Sequence, residues 1–312
     1  AIALSDGTAL PQQLGRHYVL HGPAQTSGVF HPKILLQLGR DGGRAFIGSA
    51  NATAAGIGGN LELVTELQCT AAPSPEQSLI ASIWDYVRAV SAESVGAAAD
   101  ALNWAAQKTP WLQSASRQTS VELDDGSLLG FFASPGPGGI AERFAEQIQS
   151  PVEHLIVLSP YWDDLSALRF LQTAMGSPAS TILIDRDTHE FPLDQELTPA
   201  TKLIDVTDFH PRRFKHAKLI IAQTAEFDHV LTGSANCTTA AMGASGFAGQ
   251  NAEASVYRRV ARNVAIESLG LDKVILEDPI SVSELAAPTR NAPIPLAAAR
   301  EKMPGKFEAE RG

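Results

Sequence analysis

"HPKILLQLGRDGGRAFIGSANAT", residues 31–53, returns later in the chain as "HAKLIIAQTAEFDHVLTGSANCT", residues 216–238. Each copy opens on His-x-Lys, runs fourteen residues, and closes on Gly-Ser-Ala-Asn, one further residue and Thr. His31, Lys33, Gly48, Ser49, Ala50, Asn51 and Thr53 match His216, Lys218, Gly233, Ser234, Ala235, Asn236 and Thr238 at one offset of 185. With odds of roughly one in fifteen per match, chance does not produce such a set. Further on, Asn60-Leu-Glu62 answers Asn251-Ala-Glu253, the second copy having a longer, Gly-rich connection before it.

The spacing has a geometric meaning. "HPKILLQL" and "HAKLIIAQ" read as strands with nearly continuous apolar runs, the pattern of a covered sheet. Residues i and i+2 share a face, so His31 and Lys33 point one way, as do His216 and Lys218. "GRDGG" (39–43) is a turn signal, and an antiparallel return brings Asn51 back beside His31 and Asn236 beside His216. The small-residue segments after each Gly-Ser-Ala-Asn read as helix openings, whose free N–H groups attract an anion. Each copy thus gathers an imidazole, an ammonium and an amide into a site shaped for phosphate.

The bulk numbers set bounds. A chain of 312 residues can bury a large core as one large or two ordinary domains. The net charge of −10 argues against a protein that coats nucleic acid nonspecifically, though not against a local basic cleft. Cys69 and Cys237 are far apart, with no CxxC, and read as small buried side chains in a reducing compartment. No apolar run is long enough to cross a bilayer and nothing reads as an export signal, so a cytoplasmic location is expected.

His-x-Lys followed by Gly-Ser-x-Asn, twice in one chain, resembles the phospholipase D superfamily. The likeness covers both motifs, the Glu after each, and most of residues 16–70 and 120–260; "LIVLSPYWDD" (155–164) resembles the elements ahead of the second motif. It implies an α/β fold of two pseudo-twofold-related repeats, mixed sheets flanked by helices, with both motifs facing one cleft. The expected organisation is a first repeat over 1–75, a helical linker over 76–119, a second repeat over 120–262 and a tail over 263–312. Strands are expected at 16–20, 128–133, 154–159, 181–185 and 202–206, with helices near 139–149 and 164–175. The first repeat has fewer strands before its motif than the second, so its remainder is expected upstream of Ala1 or in a partner chain. The family's motif Asp is absent, Leu38 and Gln223 standing in its place. Nuclease-like branches often lack that Asp, so lipid chemistry becomes the less favoured expectation.

What the resemblance implies for chemistry is a metal-independent, cofactor-free phosphodiester transfer through a phosphohistidine. One of His31 and His216 attacks phosphorus while the other protonates the leaving oxygen and then activates water. Lys33, Lys218, Asn51 and Asn236 hold the non-bridging oxygens. Ser49 and Ser234 are expected to bind phosphate or cap the helix, and Glu62 and Glu253 to accept from an imidazole Nδ1–H. Arg212, Arg213 and Lys215 can hold neighbouring phosphates of a nucleic-acid backbone, and Tyr161 and Trp162 can stack a base. "DRDTH" (185–189) reads as an acidic loop, with no ligand spacing for a metal. A nuclease is therefore the preferred expectation. A phospholipase or phosphatidyltransferase is the enzymatic alternative, and a non-catalytic nucleic-acid-binding or assembly module the other. Membership of a larger restriction or defence complex rests on family analogy alone.

Overall fold

The computed structural model describes residues 27–285 and the backbone of two short parallel strands, β1 (Ile2–Leu4) and β2 (Val19–His21). The first motif lies at the head of a three-stranded antiparallel sheet, β3 (Ile34–Gly39), β4 (Gly42–Gly48) and β5 (Val64–Thr70). Three helices follow: α1 (Pro75–Val90), α2 (Ala97–Lys108) and the single turn α3 (Trp111–Ser114). Ser74 caps α1 by accepting from the Gln77 N–H, and Pro75 occupies the first turn, where its missing N–H costs nothing.

The second part of the chain builds an eight-stranded mixed sheet. Its elements are β6 (Ser120–Glu122), β7 (Leu128–Ser134), α4 (Ile140–Glu146), β8 (His154–Leu158), α5 (Ser166–Ala174), β9 (Ala179–Ile184) and β10 (Thr201–Asp205). The second motif then opens β11 (Leu219–Gln223), which returns through β12 (Phe227–Gly233), the single turn α6 (Thr239–Met242), β13 (Glu253–Ala261) and α7 (Val264–Ser268). The strand order is β10-β9-β8-β11-β12-β13-β7-β6, with β8, β9 and β10 parallel and β11 antiparallel to β8. The strands and helices expected from periodicity in this half are all present. This is a mixed α/β fold with helices flanking the large sheet.

β3-β4-β5 and β11-β12-β13 are the same unit used twice, but they are covered differently. All of β11 is buried: Ile220 and Ala222 face the α4–α5 side, while Leu219 and Ile221 face α7. β3 alternates instead. Ile34, Leu36 and Leu38 pack inward, while Leu35 is 57% exposed and Gln37 faces solvent. The apolar run of "ILLQL" therefore overstated its burial, because among the described residues no helix covers the outer face of this sheet. α1, Trp111 and Leu112 form the seam between the halves, packing on Ala45, Ile47 and Leu67 on one side and on Leu129, Phe131 and Val256 on the other. Trp111 Nε1 donates to the Gly39 carbonyl at 2.9 Å, tying the linker to the first turn.

The two positions of the absent motif Asp have different fates. Gln223 donates to Asp228 Oδ1 at 2.9 Å, and Asp228 Oδ2 accepts the Ala265 N–H at 3.0 Å, anchoring α7 to the sheet. Leu38 packs into the seam core. Past α7, Ile280 bridges antiparallel to Leu203, so the described part of the expected tail lies on β10.

Candidate active site

The two motifs meet through the backbone. Phe30 bridges in parallel to Ala252, and Lys215 bridges in parallel to Leu61. The residue before each motif histidine therefore pairs with the residue before the opposite half's glutamate. The Leu61 N–H donates to the Phe214 carbonyl at 2.9 Å, and the Ala252 N–H donates to the Val29 carbonyl at 3.0 Å. These bonds fix the side chains in a crossed arrangement. His31 Nδ1 donates to Glu253 Oε2 at 3.0 Å, and His216 Nδ1 donates to Glu62 Oε1 at 2.9 Å. An ionised carboxylate only accepts, so each imidazole carries a proton on Nδ1 and, when neutral, turns the lone pair of Nε2 to the cleft.

Serines and asparagines of both halves hold the carboxylates in place. Ser234 Oγ donates to Glu253 Oε2, and Ser49, beneath Glu62, helps hold that carboxyl down. Asn60 Nδ2 donates to Glu62 Oε1 at 3.0 Å, and Asn251 Nδ2 to Glu253 Oε1 at 3.2 Å. Burial is the largest influence on Glu62 and pushes its carboxyl up. The hydrogen bonds from His216, Ser49 and Asn60 outweigh it and hold the group below its ordinary range. The glycine of each motif has a steric reason: a Cβ on Gly48 would strike the Leu63 carbonyl, and one on Gly233 the Ala254 carbonyl. Only a bare backbone lets the neighbouring strand come this close.

The lysines complete the centre. Lys33 Nζ donates to its own half's His31 carbonyl at 2.8 Å, and Lys218 Nζ donates to the His216 carbonyl at 2.7 Å and to His216 Nε2 at 3.0 Å. Burial draws Lys33 down to about 8, opposed by both Glu253 and Glu62. Burial, reinforced by the Lys33 ammonium, draws Lys218 down to about 7. Each lysine thus feels charges from both halves, as one shared cleft requires. A lysine with a lowered pKa is an ammonium below that value and loses its charge as pH rises through it. Sulfate, whose own charge is constant over this range, is therefore expected to bind about tenfold more weakly at pH 9 than at pH 6. Calorimetry in buffers of different ionisation enthalpy should also record proton uptake on binding near pH 8. A flat affinity profile would contradict charged lysines as the anion's partners.

Asn51 is exposed and Asn236 half-buried; neither side chain has a hydrogen-bond partner among the described residues, and Asn236 Oδ1 is itself shielded from solvent. Both are free to receive a ligand. The histidines are unequally covered, the side chain of His31 being 25% exposed and that of His216 8%.

Several expected roles change. Ser49 and Ser234 are fully buried beneath the glutamates and accept the Leu63 and Ala254 N–H groups at 3.0 and 2.9 Å, so they position carboxylates and do not reach a phosphate. The helix openings after each motif are single turns, a π-turn over Ala55–Gly59 and α6, too short to carry a macrodipole. Trp162 is buried against Phe191, so it cannot stack a base; it anchors the loop that carries Tyr161, whose ring lies 6.3 Å from the His216 ring. Lys215 is buried too, pairing with Asp185 Oδ2 at 3.2 Å and donating to the Thr207 carbonyl at 2.8 Å. That pair uses the first of the two aspartates of "DRDTH", and among the described residues no cluster of His, Cys, Asp or Glu has a metal-binding arrangement. Lys215→Met is expected to lower stability by about 3 kcal/mol by stranding a buried carboxylate. Urea unfolding measures this; a near-neutral change would contradict the structural role. Arg212 and Arg213 are exposed, with no carboxylate partner among the described residues.

The repeated Asn-x-Glu is visible in the sequence, but the roles of Asn60 and Asn251, and the crossing of the glutamates between halves, emerge only in the fold.

The sequence matches no known family profile and no curated protein. Among solved structures it is similar to a point mutant of yeast tyrosyl-DNA phosphodiesterase 1, at 13% identity over 82% of this chain and 76% of that one, with a TM-score of 0.53. A second yeast tyrosyl-DNA phosphodiesterase mutant aligns at 13% identity over 77% of this chain and 70% of that one, with a TM-score of 0.50. A phosphatidylserine synthase from Haemophilus influenzae Rd KW20 aligns at 13% identity over 91% and 71%, with a TM-score of 0.48. The likeness is one of fold: this chain is folded as the yeast tyrosyl-DNA phosphodiesterase structures are.

Proposed function

We propose that this chain is a phosphodiesterase, and more narrowly a nuclease that works without a metal through a phosphohistidine. The observation that carries this reading is the crossed pair of His–Glu couples around two lysines in one cleft. Nε2 of one histidine attacks phosphorus, forming an N–P bond as the P–O bond to the leaving group breaks. The other histidine gives that oxygen its proton. The same histidine then takes a proton from water, whose oxygen attacks phosphorus and breaks the N–P bond, returning both imidazoles to their starting state. Glu62 and Glu253 hold the Nδ1–H tautomer that makes Nε2 available. Lys33, Lys218, Asn51 and Asn236 stabilise the charge that gathers on the non-bridging oxygens.

Nucleic acid is preferred as substrate because Arg212 and Arg213 stand two and one residues before Phe214, on the segment leading into the second motif, with their charges unengaged among the described residues. Among the same residues no helix is long and apolar enough to cross a membrane. We also infer that strands outside the described residues, from an upstream segment or a partner chain, complete the first half. The second half supplies the pattern: there β11 has β8 along the edge that, among the described residues, β3 leaves without a partner strand.

Cleavage of labelled single- and double-stranded DNA and RNA in EDTA tests the reading. Cutting that persists in EDTA is expected. Cutting that needs an added divalent ion would contradict it, as would failure to hydrolyse any phosphodiester.

A further inference from the structure

The catalytic residues are duplicated almost perfectly, yet the segments that lead into them are not. "SGVF" (27–30) precedes the first motif and "RRFK" (212–215) the second, at the same offset of 185. Where the first half has Ser27, Gly28 and Val29, the second has Arg212, Arg213 and Phe214. The Phe214 ring is half-buried and lies 5.6 Å from the His216 ring, tilted by 40°. Tyr161 meets the same imidazole edge-on.

The Tyr161 wall is a rigid feature. Ser159 Oγ donates to the Tyr161 carbonyl at 2.7 Å and accepts the Cys237 N–H at 3.0 Å. Tyr161 bridges to Glu190 and Trp162 to Cys237, so the backbone on both sides is held. The ring itself is only half-buried, and no hydrogen bond engages its hydroxyl among the described residues. A preorganised, partly exposed aromatic beside the His216 imidazole, with two guanidinium-bearing residues unpaired among the described residues on the adjoining segment, is a nucleotide-sized arrangement, and the matching segment of the first half, Ser27–Val29, carries no such groups.

A near-symmetric centre accepts a diester in either direction unless something outside the catalytic set orients it. We propose that the His216 side does this by taking an unpaired base against Tyr161 and Phe214 and the neighbouring phosphates on Arg212 and Arg213, making the substrate a single-stranded nucleic acid held in one polarity. This rests on the phosphodiesterase reading above. An aromatic face can stack only a base that has left its duplex, so strandedness follows from the geometry.

The test compares kcat/KM on a single-stranded oligonucleotide, its fully paired duplex, and the same strand with an abasic residue next to the scissile phosphate. The wild-type protein is expected to favour the base-bearing single strand over both others by roughly 10- to 100-fold. Tyr161→Leu is expected to bring the base-to-abasic ratio close to one. Independently, the Arg212→Ala and Arg213→Ala double variant should reduce the salt dependence of single-strand binding, its log–log slope becoming shallower by about 1.4. Hydrolysis of bis(p-nitrophenyl) phosphate is run alongside. If that ester turns over while base and abasic strands are cut equally, or the duplex is preferred, the inference is overturned and the phosphodiesterase reading stands. If nothing is hydrolysed, both fall together.

Discussion

His31→Ala and His216→Ala are each expected to lower kcat/KM on a phosphodiester by about 10,000-fold, and the double variant to be no worse by more than a few-fold. The expectation follows from the roles. One imidazole makes the bond to phosphorus and the other moves the proton, so losing either stops the same cycle. Residues that act as a unit give non-additive losses for that reason. Neither substitution should unfold the protein, because each removes a ring at the cleft and leaves the strands and the Phe30–Ala252 and Lys215–Leu61 bridges in place. Circular dichroism and urea midpoints of both variants test that point. Activity retained near wild type in one variant would mean two independent sites, which the crossed geometry does not allow.

The glutamates carry the second large effect. Glu62→Gln and Glu253→Gln keep the shape of the side chain but can turn an N–H toward Nδ1, favouring the tautomer that leaves Nε2 protonated. A loss of about 10,000-fold in kcat is expected from each, as for other carboxylates that hold an imidazole tautomer. The crossed pairing makes the spectroscopic outcome specific. Nitrogen-15 spectra of the imidazoles should show Glu253→Gln altering the tautomer of His31 and leaving that of His216, with Glu62→Gln doing the converse. The opposite assignment would place each glutamate with its own half's histidine and contradict the backbone bridges.

The parts of this site that were legible in the sequence are those set by short-range geometry. His and Lys two apart on a strand share a face, so His31 with Lys33 and His216 with Lys218 could be grouped from spacing alone. The strands of the second half were equally readable, because each is a short apolar run between turn signals. What escaped was whatever depends on the contact between halves. Glu62 and Glu253 cross over because the two bridges set opposite halves side by side, and no spacing encodes that. Ser49 and Ser234 read as ligand hydroxyls until the neighbouring strand's approach showed them buried. Lys215 sat in a basic run that looked solvated, but its side chain turns inward to Asp185 and the Thr207 carbonyl, while Arg212 and Arg213 stay exposed on the turn before it. Trp162 and Tyr161 are adjacent in sequence, yet one lies in the core and the other on the cleft wall. The exposure of Leu35 has a similar origin: the run is apolar, but its burial depends on a layer that the strand itself does not specify.

The central claim is that both halves form one site in which a single histidine becomes phosphorylated. The most direct measurement is a rapid alkaline quench of the protein turning over a labelled diester, followed by mass spectrometry of its peptides. One phosphoryl or phosphodiester adduct per chain, carried by either His31 or His216 and never by both, is the predicted result. No trapped adduct on either residue despite turnover, or adducts on both in the same chain, would contradict it.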